Sequence, residues 1–208
     1  MSNRMKTGIF ISIAVFLLGI LLFQFAVPKG SFVQEEVTDE ALTKELGEIA
    51  TTALKDYFDI ELDESRPWET MVVYNKPRDE EANIAPVYSV MQKDVTEDLP
   101  EGTITSYGVA MREDTKEVVS IIYTPVSNGE VKEMTDEEIG NKSISFLQDK
   151  NVSKKDETLK VVQIERDEKS GLARIMIEGQ GMGYSIAYNL KTDAVNYFEK
   201  VEIIEPTE

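Results

Sequence analysis

The chain has 208 residues and a formal charge of −17, from 22 Lys and Arg against 39 Asp and Glu, and contains neither Cys nor His. So large an acid excess repels nucleic acid and anionic lipid headgroups, so neither is an expected partner, though it suits a basic partner or plain solubility. Without Cys there is no disulfide, thiol nucleophile or cysteine zinc site, and without His there is neither a Ser-His-Asp triad nor the commonest zinc ligand.

Thr7 to Val27 carries no charge and a single amide, Gln24. About 20 apolar residues suffice to cross the hydrocarbon core of a bilayer as a helix, so the segment predicts an N-terminal transmembrane anchor. Arg4 and Lys6 precede it with no acid nearby, which predicts a cytoplasmic tail over 1–6 and an extracytoplasmic body. The rival is a cleaved signal peptide. Its apolar region would be unusually long, and the exit Gln24-Phe25-Ala26-Val27-Pro28 lacks the small residue three back from a cleavage point. The expected localisation is therefore the cell membrane, single-pass. A disulfide-free body outside the cytoplasm is more usual in a Gram-positive bacterium, so the sequons at Asn141 and Asn151 carry little weight.

Residues 28–37 read as an acidic tether. A helix follows, with Thr38 as the expected N-cap and Asp39 and Glu40 in the first turn. Leu42, Leu46, Ile49, Ala50, Ala53 and Tyr57 form one apolar stripe that ends near Phe58. From Trp68 the period changes. Strands are expected over Met71–Lys76, Val87–Gln92, Thr103–Met111 and Glu117–Tyr123, with charged loops after Lys76 and from Asp94 to Gly102. The chain then begins again. Thr135-Asp136-Glu137-Glu138-Ile139 repeats Thr38-Asp39-Glu40-Ala41-Leu42, now with a full capping box from Thr135 to Glu138. Four strand-like runs follow: Leu159–Ile164, Ala173–Ile177, Tyr184–Leu190 and Val195–Ile204.

The last hairpins match as well. Tyr107-Gly108-Val109-Ala110-Met111 aligns with Tyr184-Ser185-Ile186-Ala187-Tyr188, and the same offset brings Thr115 onto Thr192 and Val118 onto Val195. An internal duplication explains caps and hairpins that recur in the same order. The expected fold is α+β: one transmembrane helix, then two tandem units over 38–127 and 134–208, each a helix packed on a four-stranded antiparallel sheet.

A helix opening Thr-Asp-Glu-Glu-Ile, followed by the hairpin Tyr184-Ser-Ile-Ala-Tyr-Asn-Leu-Lys-Thr-Asp-Ala-Val-Asn-Tyr-Phe198, resembles PepSY-like domains of cystatin-like shape in extracytoplasmic membrane-anchored proteins. The likeness covers most of Thr135 to Ile204, and Thr38 to Tyr123 less well because of the extra loops. It implies a protein that is not an enzyme. Such domains serve as peptidase propeptides, as envelope-protein partners, or as regulators of sporulation and germination hydrolases, and similar tandem ectodomains restrain membrane-bound sensor kinases.

Chemistry is sparse. Carboxylate pairs would be enough for acid catalysis, but acids spread over exposed faces make many accidental pairs. Gly179-Gln180-Gly181-Met182-Gly183 lies between strands, whereas a dinucleotide loop must open a helix, so the glycines read as a hairpin or bulge. They remain candidate contacts because glycine lets another backbone approach closely. Asp79-Glu80-Glu81 and Glu35-Glu36 lack calcium-loop spacing. The sole Trp, Trp68, reads first as core and second as an interface anchor. The sequence thus predicts no catalytic, cofactor or metal site. The candidate contacts with a protein partner are Trp68, Arg78, Gly179, Gly181 and Gly183. The expected role is regulation of an envelope enzyme or membrane sensor, with peptidase inhibition as the alternative and a carboxylate-dependent envelope enzyme as a remote third.

Overall fold

The computed structural model describes residues 32–78 and 85–202. Among these residues nine strands and two helices follow in the order β1 (Phe32–Glu36), α1 (Glu40–Phe58), β2 (Trp68–Pro77), β3 (Val87–Asp94), β4 (Ile104–Arg112) and β5 (Val118–Pro125), then α2 (Asp136–Asp149), β6 (Lys160–Asp167), β7 (Leu172–Glu178), β8 (Met182–Asn189) and β9 (Ala194–Glu202). All nine strands belong to one antiparallel sheet in the order β1-β2-β3-β4-β5-β9-β8-β7-β6.

This corrects the expectation of two tandem helix-on-four-strand units. The meanders β2–β5 and β6–β9 do exist, but β5 pairs with β9 and fuses them. Ser120, Ile121 and Ile122 lie opposite Glu199, Phe198 and Tyr197. The physical reason lies in those two strands. β5 carries none of the charged side chains that usually guard an edge, and it meets Tyr197 and Phe198 of β9.

The transmembrane anchor, the signal-anchor character and the single-pass membrane localisation are corrected too. No helix among the described residues is long and apolar enough to cross a membrane. Segment 7–27, on which those expectations rested, lies outside the described residues, as does the loop 79–84.

Both helices pack on the same face of the sheet. Period-2 alternation sends Val72, Val90 and Val109 in a row toward α1, and Ile164, Ile175 and Ile186 in a row toward α2. One core results, with Leu46, Ala50 and Leu54 from α1, Ile139 and Leu147 from α2, and Met111, Ile121, Ile175, Tyr188 and Phe198 from the sheet. The two helices meet above the β5–β9 seam. Phe58 stacks on Phe146 at 5.2 Å and meets Tyr123 edge-on at 4.9 Å, while Tyr57 lies 5.1 Å from Phe198. Lys150 at the end of α2 bonds Asp59 at the end of α1, 2.6 Å.

The helix ends follow local chemistry. Asp39, not Thr38, caps α1, its carboxylate accepting from the Leu42 amide at 2.9 Å. Either residue type serves as an N-cap, so the sequence pattern was off by one position. The capping box of α2 forms as expected: the Glu138 amide donates to Thr135 Oγ1 at 3.2 Å, and the Thr135 amide donates to Glu138 Oε2 at 2.7 Å. The tether over 28–37 also needs correction, because Phe32–Glu36 forms β1 on the outer edge of β2. Gln34 bonds Asn75 at 2.9 Å and Lys76 bonds Glu35 at 2.5 Å, so polar cross-strand pairs hold a strand that apolar alternation did not announce.

Candidate interaction surface

The two ends of the sheet differ. β2 has β1 on its outer side, whereas β6, in the same place in the second meander, pairs only with β7 among the described residues. β6 is built as an exposed strand. Lys160, Gln163, Glu165, Arg166 and Asp167 face solvent, and only Val161 and Ile164 are half-buried. The register shifts between Val161 and Gln163, so Val162 bulges out and stays 45% exposed. Charges and a bulge are the usual guards of a free edge against indiscriminate pairing.

Beside this edge runs an open groove of about 330 Å³, lined by Asp136, Glu137, Gly140 and Asn141 of α2 and by Val161 and Ile164 of β6. Gly140 sets its depth. A Cβ there would come within 3.1 Å of Val161 Cγ2 and press on that side chain, so glycine lets the helix settle close to the strand without displacing it. The floor is apolar and the upper rim is acidic. Asp136 is held by Arg166, whose Nε donates at 2.8 Å, while Glu137 is exposed on the first turn. Carboxylates at a helix N-terminus are favoured by its dipole, which suits acids to this rim.

Gly179, Gly181 and Gly183 lie together in the β7–β8 hairpin, at the end where β6 begins. Gly181 has φ +76°, and the Gly179 amide closes the turn onto the Met182 carbonyl at 2.8 Å. The loop wraps the buried carboxylate of Glu157. That group accepts from the Gln180 amide at 2.8 Å, the Tyr184 hydroxyl at 3.1 Å and the Lys154 amide at 3.3 Å. A Cβ on Gly179 would sit 2.0 Å from Glu157 Oε1, so the glycine marks a close approach within the chain itself. Burial, then the bond to Glu157, raises the Tyr184 hydroxyl well above the ordinary tyrosine range.

Trp68 and Arg78 lie elsewhere, at and just beyond the two ends of β2. Trp68 is half-buried. Its indole donates to the Asp63 carbonyl at 3.1 Å, its ring meets Tyr107 edge-on at 6.0 Å, and the Arg66 guanidinium lies over it at 4.9 Å. Arg66 also pairs with Asp94 at 2.5 Å, a carboxylate with no exposed side-chain surface. Burial pushes the Asp94 carboxyl up, but hydrogen bonds from Thr96 and the Arg66 charge outweigh it and hold the group below the usual range. Arg78 is exposed. The five candidate contacts therefore do not converge: three share one hairpin, and two flank a strand in the other meander.

Sequence reasoning missed Glu157, the Arg66–Asp94 pair and a cluster around Asp193. Asp193 accepts from Lys142 at 2.6 Å, from Lys132 at 3.3 Å and from the Tyr188 hydroxyl. The bonds from Lys142 and then Tyr188 hold its carboxyl down at about 2, while burial first and the bond to Asp193 second push the Tyr188 hydroxyl up to about 12. Each of these acids sits in a charged stretch where nothing local separates it from its solvated neighbours. Gly179 was the one available signal, since a glycine in a strand pattern often marks a close approach. Among the described residues no group of three carboxylates is placed to hold a metal ion. No protein-family model, curated protein or solved structure matches this chain.

Proposed function

We propose that the chain is a non-enzymatic interaction module that binds and regulates another protein, an enzyme or a sensor. The observation that carries this reading is the asymmetric sheet: one end is closed by β1, and at the other β6, with no strand on its outer side among the described residues, lies beside an apolar groove with an acidic rim. Exposed sheet edges bind extended segments through main-chain hydrogen bonds, and adjacent pockets supply selectivity. The PepSY-like resemblance of the second half supports a regulatory role, since such domains act through partners. The test is crosslinking of tagged full-length chain in its own cells, followed by identification of what is recovered with it. The reading expects one reproducible protein partner. Recovery of the chain alone in every growth state, sporulation included, overturns it.

A further inference from the structure

We infer that the β6 edge takes an added strand from its partner, and that this strand carries an apolar side chain with Lys or Arg two residues away from it. The inference rests on the interaction reading and specifies the chemistry of what binds.

Three observations lead to it. First, the chain itself shows the mode. β1 is a short segment laid on the outer edge of β2, and β6 holds the corresponding place at the far end of the sheet with its outer edge unpaired among the described residues. Second, the groove lies where an added strand would send its side chains. Val161, Ile164 and Arg166 point toward α2, so alternate residues of a neighbouring strand would enter the space under Asp136, Glu137, Gly140 and Asn141. The floor formed by Val161 and Ile164 accepts an apolar group. Third, the rim selects by charge. Asp136 is already matched by Arg166, but Glu137 faces outward on the first turn. A cation two positions from the apolar residue would project from the same face of the added strand and reach this rim. An acidic segment would meet both Glu137 and the net charge of −17.

A second copy of the chain fits less well. Its β1 segment, Phe32-Val33-Gln34-Glu35-Glu36, carries acids where the rim asks for a base. Head-to-tail pairing of β1 on β6 would also be heterologous and propagate from copy to copy, into a ring where the rotation closes and a filament where it does not.

The probe is a short synthetic peptide, acetyl-Thr-Lys-Thr-Val-Thr-Lys-Thr-amide, fluorescently labelled and titrated into the full-length chain by anisotropy. Three comparisons read the mechanism. A counterpart with Glu in place of Lys should bind at least about tenfold more weakly. Methylating alternate backbone nitrogens should abolish binding for one of the two alternating sets, which faces β6, and spare the other. Glu137→Lys, a change at an exposed position, should weaken the Lys peptide by about threefold or more while leaving the circular dichroism spectrum unchanged. Equal binding of the Lys and Glu peptides overturns the inference. So does survival of binding with both methylated sets, since simple attraction to an acidic surface needs no edge hydrogen bonds. Failure of every peptide alongside a cellular partner crosslinked far from β6 and α2 overturns the strand-addition inference alone. Recovery of no cellular partner overturns the interaction reading beneath it.

Discussion

Replacing Gly179 with Ala tests whether the β7–β8 hairpin is shaped around Glu157. The new methyl would lie 2.0 Å from Glu157 Oε1 and 3.1 Å from Leu159 Cδ2, so the carboxylate must leave its place. It would then give up its bonds from the Gln180 amide at 2.8 Å and the Tyr184 hydroxyl at 3.1 Å. One lost bond to a charged acceptor costs about 1.5–3 kcal/mol, and because the loop relaxes we expect Gly179→Ala to destabilise by about 2 kcal/mol. With a urea m-value of about 2 kcal/mol/M, the unfolding midpoint falls by about 1 M. Glu157→Ala removes the clash but leaves the Gln180 and Tyr184 donors unpaired, at a similar cost of about 2 kcal/mol. The double variant should therefore cost less than the sum, with a coupling of at least about 1 kcal/mol. Additive effects within about 0.5 kcal/mol, or a harmless Gly179→Ala, would refute the reasoning.

Arg66→Met strands the buried Asp94 carboxylate and should cost about 3–5 kcal/mol, part of which Asp94→Asn restores in the double variant; equal stability of single and double variants by urea unfolding would count against this. Asp193 has a folded pKa of about 2, below its unfolded value, so its contribution is present above the unfolded pKa and disappears as pH falls toward the folded one. The stability gap between the native chain and Asp193→Asn should thus be on the order of 1–2 kcal/mol near neutrality and close below about pH 4, and a gap unchanged in acid would contradict the assignment. Phe58→Ala removes the ring that touches Tyr123, Phe146 and Phe198 across the seam, and should cost about 2–4 kcal/mol. Calorimetry should still show one transition; a split into two would mean that the halves do not share a core.

Much of the fold was legible because local rules and burial agreed. The α1 stripe of Leu46, Ala50 and Ala53 and the capping box of Thr135 and Glu138 specify helices that formed within a residue or two of expectation. Strand alternation located β2 to β9. What the sequence hid was long-range. Pairing of Ile121 with Phe198 is written only in the lack of guarding charges on β5, a feature that in isolation reads as a strand and says nothing of its neighbour. β1 was hidden because Gln34 and Glu35 hold it by polar pairing to Asn75 and Lys76, which looks like a tether when read alone. The candidate site was less legible still. Trp68 and the glycines were singled out by residue type, yet Trp68 is engaged by Arg66 and Tyr107 and Gly179 by Glu157. The groove depends on Gly140 meeting Val161, a juxtaposition of two unremarkable residues from separate elements.

The continuity of the sheet across β5 and β9 places β6 at its far end among the described residues, and a cysteine-free chain allows a direct test of it. Ser120 and Glu199 are register partners across that seam. Directly opposed residues in an antiparallel pair have Cα atoms about 4.5–5.5 Å apart, within the range a disulfide spans. The chain carrying Ser120→Cys and Glu199→Cys should oxidise to an intramolecular disulfide in near-complete yield, with unchanged circular dichroism. Thiols that stay free under the same oxidant, or that form only intermolecular dimers, would mean that the two meanders are separate sheets and that β6 is not the far edge of one.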